Sequence, residues 1–310
     1  MGTLECSAGT TIGVTELVAA VNSKVEVIEG AVTKTVASES SAVPGDFDFQ
    51  NFHEAMQWAE IPSSSSLLVF ELDDGDHYIY QTDENYGNQY VINNNITIRG
   101  SDREVCFVTY APTSADTLAN YTFSMNNNIV RFQNVTFDPD KGGLTRTNYS
   151  ILGFFDNMDI TYYLVSIKNM YDAGTFYTNV DVMLHELKIE NLSQRGLYIN
   201  GNINVRVYGG EATDCPEFIH IVNGIGGSLV RVSVVPVLTN TPFCNEDTDT
   251  VLAGGTIVYS TTAQWSGTTA NRPVFIDKTT SSNIPYFDTD LGKPIWYNGT
   301  AWVDSAGTGV

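Results

Sequence analysis

Apolar and polar positions alternate with a period of two through the middle of the chain. Ile203, Val205 and Val207 are separated by Asn204 and Arg206, and Leu187 and Ile189 flank Lys188. Such alternation marks a half-buried strand, because successive side chains point to opposite faces. The short apolar runs are broken repeatedly by Asn or Gly, which tolerate the left-handed backbone of a sharp corner. Asn93-Asn94-Asn95 leads into Ile96-Thr97-Ile98, and Asn126-Asn127-Asn128 into Ile129-Val130. Asn157 precedes Met158, Asn179 precedes Val180, and Asn202 precedes Ile203. With Ile96, Ile129, Met158, Val180, Ile203 and Leu229 as marks, the spacings are 33, 29, 22, 23 and 26 residues.

A strand-built repeat of this length predicts a solenoid whose coils bury their apolar faces only by stacking. The expected fold is all-β, a parallel β-helix of about six coils, each adding roughly 4.8 Å along the axis. Stacked asparagines are expected to bond to one another as a ladder. A β-sandwich would place strands every 8–12 residues without the longer repeat on top.

The flanks read differently. Val14, Val18, Val21, Val25, Ile28 and Val32 are spaced 4, 3, 4, 3 and 4. This heptad seam predicts a short coiled coil over residues 14–36, with Val18, Val21, Val25, Ile28 and Val32 in its core. β-Branched residues at both core positions favour three chains or more. A hairpin turning at Glu29-Gly30 is the alternative. Residues 38–45 form a linker around Pro44-Gly45. Phe49, Phe52, Met56 and Ala59 lie on one face of a short amphipathic helix. Near the other end, Asn298-Gly299 between Trp296-Tyr297 and Ala301-Trp302 signals a hairpin. The expected organisation is an N-terminal anchor and coiled coil over 1–45, a shaft over 46–240, a linker over 241–266 and a small β tip over 267–310.

Composition narrows the partners. The net charge is −21, from 36 acidic and 15 basic residues. Such a chain has no general attraction for nucleic acid or anionic lipid. No run reaches the length of a membrane span. Residues 1–14 lack the basic and apolar regions of a secretory signal, which predicts synthesis without export by that route. Cys6, Cys106, Cys215 and Cys244 stand far apart, without zinc spacing, and are expected to be idle thiols. No cofactor motif occurs.

Two stretches resemble known families. Phe52-His53-Glu54-Ala55-Met56-Gln57-Trp58-Ala59, the strand after it, the acidic turn Asp73-Asp74-Gly75-Asp76-His77-Tyr78 and Ile92-Asn93-Asn94-Asn95-Ile96-Thr97-Ile98-Arg99-Gly100 resemble the opening of right-handed pectate-lyase-like β-helices. That resemblance covers residues 47–236. It implies a helix capping the solenoid and a right-handed coil; lyases, hydrolases and viral spikes share this fold. Residues 267–307 include Thr269-Ala270-Asn271-Arg272-Pro273, Tyr286-Phe287-Asp288 and Leu291-Gly292-Lys293-Pro294-Ile295-Trp296-Tyr297-Asn298-Gly299-Thr300-Ala301-Trp302-Val303-Asp304. They resemble the endings of fibre and other structural proteins of tailed bacteriophages, crAss-like phages among them. Asp290 and Tyr297 stand where Thr and Trp are commoner.

Candidate chemistry is sparse. Glycan cleavage would need two carboxylates about 5–9.5 Å apart. Asp156 with Asp159, Asp181 with Glu186, and Glu190 are candidates, and stacking brings Asp159 toward Asp181. Asp next to Asn at a corner is more commonly a turn residue. Asp73, Asp74, Asp76 and His77 carry oxygen ligands without a calcium-loop pattern, so no metal site is assigned. His53, His77, His185 and His220 fall in no nucleophile motif. In the tip, Trp296 and Trp302 are expected in a three-chain core, with Tyr286 and Tyr297 exposed for a receptor.

The expected function is therefore that of a homotrimeric virion appendage, assembled in the host cytoplasm. It would anchor to other virion proteins through its N-terminus and attach to a host-surface glycan or protein, without enzymatic action, nucleic acid or membrane insertion. The alternatives are a polysaccharide-degrading tailspike, a glycosidase or lyase, and a head fibre or capsid decoration protein.

Overall fold

The structure is a computed structural model. It describes residues 31–40, 46–61, 67–80, 90–110, 121–125, 128–139, 141, 150–222, 229–234, 236–241, 256–259, 265–267, 269, 272, 282–298 and 300–310.

The first strands are β1 (Ala31–Val36), β2 (Leu67–Leu72), β3 (Gly75–Ile79), β4 (Tyr90–Ile92), β5 (Ile96–Arg99) and β6 (Cys106–Tyr110), with a helix, α1 (Phe52–Glu60), after β1. They continue as β7 (Tyr121–Met125), β8 (Ile129–Gln133), β9 (Thr136–Phe137), β10 (Ser150–Tyr163), β11 (Ser166–Lys168) and β12 (Gly174–Glu190). The last coils hold β13 (Leu197–Asn200), β14 (Ile203–Thr213), β15 (Ile219–Val222), β16 (Leu229–Val234), β17 (Val237–Thr239) and β18 (Thr256–Tyr259). All pairings among them are parallel, each strand bonding to the one a coil away. The fold is a right-handed parallel β-helix with three faces.

The first face shows why the sequence folds this way. Val32, Leu68, Ile96, Val130, Ile160, Val182, Val205, Val230 and Ile257 are successive register partners on nine rungs. Beside them Phe70, Ile98, Phe132, Tyr162, Leu184, Val207 and Val232 are all buried. Phe132 meets Phe137 edge-on at 5.2 Å and Tyr162 at 5.7 Å. Each such side chain contributes about 1.5–3 kcal/mol on leaving water, so stacking one more coil is favourable.

The corners are left-handed. Asn157 and Asn179 form one column, Asn169, Asn191, Asp214 and Asn240 another, all with φ between 48° and 54°. The expected ladder is present: Asn191 Nδ2 donates to Asn169 Oδ1 (2.7 Å), Asn169 Nδ2 to Asp138 Oδ1 (2.9 Å) and Asn179 Nδ2 to Asn157 Oδ1 (3.1 Å). One-residue corners let β10, β12 and β14 run continuously from face to face, which shortens the coil to 22 residues between Ile160 and Val182.

Helix α1 occupies a strand's place ahead of β4. Asn51 caps it, accepting the Glu54 N–H at 2.9 Å, and Phe52, Ala55, Met56 and Ala59 are buried, as the apolar spacing predicts. Phe52 sets its ring edge against Phe123 at 6.2 Å. Asn94 donates to the Ala59 and Ile61 carbonyls and ties the helix end to the coil above.

Three expectations about boundaries change. Val32 is not in a helical seam: it stands in β1, which pairs with β2 over six residues. Val32, Thr33, Thr35 and Val36 are β-branched and find a ready parallel edge, so the strand prevails over the heptad. Val18, Val21, Val25 and Ile28 lie outside the described residues. The shaft also reaches past both expected limits, since β1 starts it and β18 adds a rung from the supposed linker. Ile129 is outward and 37% exposed; Val130 holds the inward place.

Candidate functional site

The outward positions of the first face carry the chemistry. Asp159 and Asp181 are register partners on adjacent rungs of β10 and β12, and Asn204 follows on β14. Both carboxylates are exposed. One rung places their backbones about 4.8 Å apart. Four residues further along each strand, Tyr163, His185 and Tyr208 are partners in turn. Their rings form a ladder, with centroids 5.8 Å apart for Tyr163–His185 and 4.5 Å for His185–Tyr208, the latter pair parallel within 5°. The stacked His185 and Tyr208 rings present their edges outward, and the Tyr163 ring is tilted 51° to that of His185. Burial pushes the His185 imidazole down, which keeps it neutral at neutral pH. The face therefore offers stacked carboxylates and a row of polar ring edges to an extended ligand.

Sequence reasoning anticipated the meeting of Asp159 and Asp181 and missed the ring ladder. The signal was available: Tyr163, His185 and Tyr208 are 22 and 23 residues apart, the local coil length. The other carboxylate candidates disperse. Glu186 sits at a left-handed corner (φ 51°) with its side chain over Gly209, and Glu190 pairs with Lys168. Asp156 is opposite Thr178 in the ladder.

A second cluster lies where β12, β13 and β15 begin. The Arg195 guanidinium packs 3.7 Å over the Tyr198 ring, and its Nε is 3.5 Å from Asp172 Oδ2. Tyr198 stacks on His220 at 5.5 Å and 13°. His220 Nδ1 bonds to Glu217 Oε1 at 2.5 Å. Asp172 and Glu217 are both buried. The chain of contacts Asp172–Arg195–Tyr198–His220–Glu217 thus joins ions and rings across three coils. We read it as a tie between coils.

No protein-family model matches the sequence, and no curated protein matches it. Solved structures do. Pectin methylesterase PemA from Erwinia chrysanthemi matches with a TM-score of 0.48 and 14% identity, over 86% of this chain and 85% of that one. A pectin methylesterase mutant in complex with a hexasaccharide matches equally, at 0.48 and 14%, over 86% of each chain. At this identity the likeness concerns the fold. The expected absence of enzymatic action stands against these matches, which are structures of pectin methylesterases.

The tip also departs from expectation. Its strands β19 (Trp265–Gly267), β20 (Ser282–Asp288), β21 (Lys293–Asn298) and β22 (Trp302–Val303) form a separate sheet. The hairpin is present, with Tyr297 opposite Trp302. Asn298 Oδ1 accepts the Thr300 and Ala301 N–H groups. Tyr286 and Tyr297, expected to be exposed, are buried at 3% and 6% exposure. Trp302 is half-buried between them, 5.4 and 5.5 Å away, while Trp296 faces the other side with Phe287. The cause is strand parity: Tyr286, Ile295, Tyr297 and Trp302 share one face in this register. Burial pushes the Tyr286 hydroxyl up to about 12.

The phage-like motif resolves into a clasp. Asp288, fully buried, accepts from Arg272 Nε (2.7 Å), Thr269 Oγ1 (2.9 Å) and the N–H groups of Asp290 and Leu291 (both 3.0 Å). Arg272 Nη1 also donates to the Val310 carbonyl at 2.6 Å. Burial pushes the Asp288 carboxyl up, but the Leu291 N–H, Arg272 and Thr269 outweigh it and hold it below the usual range.

The remaining candidates are structural. In the acidic corner His77 is buried and bonds to the Asp73 carbonyl at 2.8 Å, Asp76 pairs with Lys141 at 2.5 Å, and Asp74 accepts from Ser101. His53 bonds to the Tyr90 hydroxyl at 2.7 Å. Cys106 and Cys215 are buried free thiols; Cys6 and Cys244 lie outside the described residues.

Proposed function

We propose that this chain is a phage virion appendage whose β-helix binds and cleaves a host-surface polysaccharide along the outward first face. The observation that carries the reading is the stacking of Asp159 on Asp181 beside the Tyr163–His185–Tyr208 ladder. Carboxyls on adjacent rungs, with backbones about 4.8 Å apart, can be set at the roughly 5–5.5 Å separation used when one acts as acid and the other as nucleophile in retaining glycoside hydrolysis. Ring edges supply hydroxyl and imidazole groups that match the hydrogen-bonding edge of a sugar chain. The activity of the structurally similar pectin methylesterases on a polysaccharide is compatible with this reading. The phage-like ending supports the virion placement. A homotrimer is part of the proposal, with Trp296 and the 46% exposed Phe287 on the tip face that a neighbouring chain would cover.

The test uses purified full-length protein and host capsule or cell-wall polysaccharide. Oligosaccharide release is expected, with new reducing ends, and is expected to fall at least about a hundredfold in Asp159→Asn and Asp181→Asn, as for loss of a group acting in the reaction. Release that persists unchanged in both variants removes these carboxylates from the mechanism. Labelling the protein on intact particles tests the virion placement, and light scattering near three times 34.0 kDa tests the trimer.

A further inference from the structure

We infer that the polysaccharide taken by this face is acidic, and that Arg206 and Arg231, with Arg131 further along the same line, hold its anionic groups. The inference rests on the proposed glycan-binding role and names the substrate class.

The described residues include twelve lysines and arginines, and nine pair with carboxylates: Lys34, Arg99, Arg103, Lys141, Lys168, Lys188, Arg195, Arg272 and Lys293. The three that make no ion pair or hydrogen bond are Arg131, Arg206 and Arg231. All three fall in one outward column. Arg131 is opposite Thr161, Thr161 opposite Met183, Met183 opposite Arg206, and Arg206 opposite Arg231. In a chain of net charge −21, chance placement would give most of these cations an acidic neighbour.

Placing Arg206 directly opposite Arg231 is unfavourable by itself, because like charges on neighbouring strands repel. Nothing in the fold requires it: both side chains point outward, and Arg231 is exposed. Guanidinium groups bind carboxylate, sulfate or phosphate oxygens through paired N–H bonds, and an anion between two of them removes the repulsion. The column runs parallel to the ring ladder, one strand pair of positions away, so a chain lying along the axis touches both. Arg131 is three rungs from Arg206, roughly 14 Å, which suits a repeating polymer rather than a single small anion. The acidic surroundings confine attraction to this line and disfavour a uniformly charged nucleic acid.

Binding of uronic-acid oligosaccharides from alginate, of neutral dextran oligosaccharides and of a single-stranded DNA oligonucleotide to the full chain tests the inference. Wild type is expected to bind the uronic-acid chains, with affinity falling as salt rises. The double variant Arg206→Ala/Arg231→Ala should lose at least about tenfold in that affinity, and Arg206→Lys/Arg231→Lys should lose less. The thermal midpoint of the alanine double variant should hold or rise, since a repulsion is removed. Equal binding by the double variant, a clear fall in its midpoint, or equally tight DNA binding through the same arginines overturns the inference. Dextran bound as well as the uronic-acid chains would leave the glycan reading standing and sink this one; absence of binding to every saccharide would sink both.

Discussion

Removing the Asp288 carboxylate should open the tip sheet while leaving the shaft closed. Asp288 holds one guanidinium, one hydroxyl and two backbone N–H groups. In Asp288→Ala the Asp290 and Leu291 N–H groups sit at an exposed turn and exchange their bond for water, at about 0.5–1 kcal/mol each. The Arg272 guanidinium is left beside a buried site, and breaking such a pair costs about 3–5 kcal/mol when desolvation is complete. Arg272 retains 11% exposure and its bond to the Val310 carbonyl, which favours the lower end. We expect about 3 kcal/mol. Hydrogen exchange measured peptide by peptide is the suitable assay, because the tip and shaft are separate sheets. Amides of residues 282–304 should exchange roughly a hundredfold faster, 1.4 kcal/mol being tenfold, with residues 158–213 unchanged. The pH dependence follows from the depressed carboxyl. Its stabilisation is complete above the unfolded carboxylate range, near pH 4, and is lost as pH falls through the lower folded value. Asp288→Asn should flatten that acid-side loss. A change in tip exchange below about threefold, or equal acceleration in shaft and tip, would show that the clasp does not hold this sheet.

Other expectations concern the shaft and the tip register. Asn191→Ala loses the 2.7 Å ladder bond to Asn169 and strains a residue at φ 54°; a loss of about 1–3 kcal/mol in urea unfolding is expected, with Asn191→Gly recovering the backbone part. Gly196→Ala would set a Cβ 1.9 Å from the Phe218 carbonyl oxygen, so the two coils must part, and soluble yield should collapse. Tyr297→Ala should cost the tip about 3 kcal/mol by thermal melting, whereas Trp296→Ala should spare the tip's own fold and reduce association between chains.

Alternation and the recurring Asn residues sufficed to predict a parallel β-helix, because inward and outward positions of a stacked strand follow a two-residue parity and its corners need a left-handed φ. The helix at Phe52–Glu60 was legible for a similar local reason, an apolar face behind an Asn cap. What lies one coil apart was only half legible. Asp159 and Asp181 were foreseen as neighbours, but the ring ladder and the arginine column depend on register. A one-residue error, such as marking Ile129 instead of Val130, turns every side chain to the wrong face. At Val32 the N-terminal seam gives way, because a heptad and a strand are both compatible with spaced valines and the free edge of β2 decides between them there. In the tip, size and aromaticity pointed to the tryptophans as core and the tyrosines as surface. Only the pairing of Tyr297 with Trp302 and Tyr286 with Ile295 placed the tyrosines inside, since burial is set by which neighbours a strand finds rather than by what its residues are.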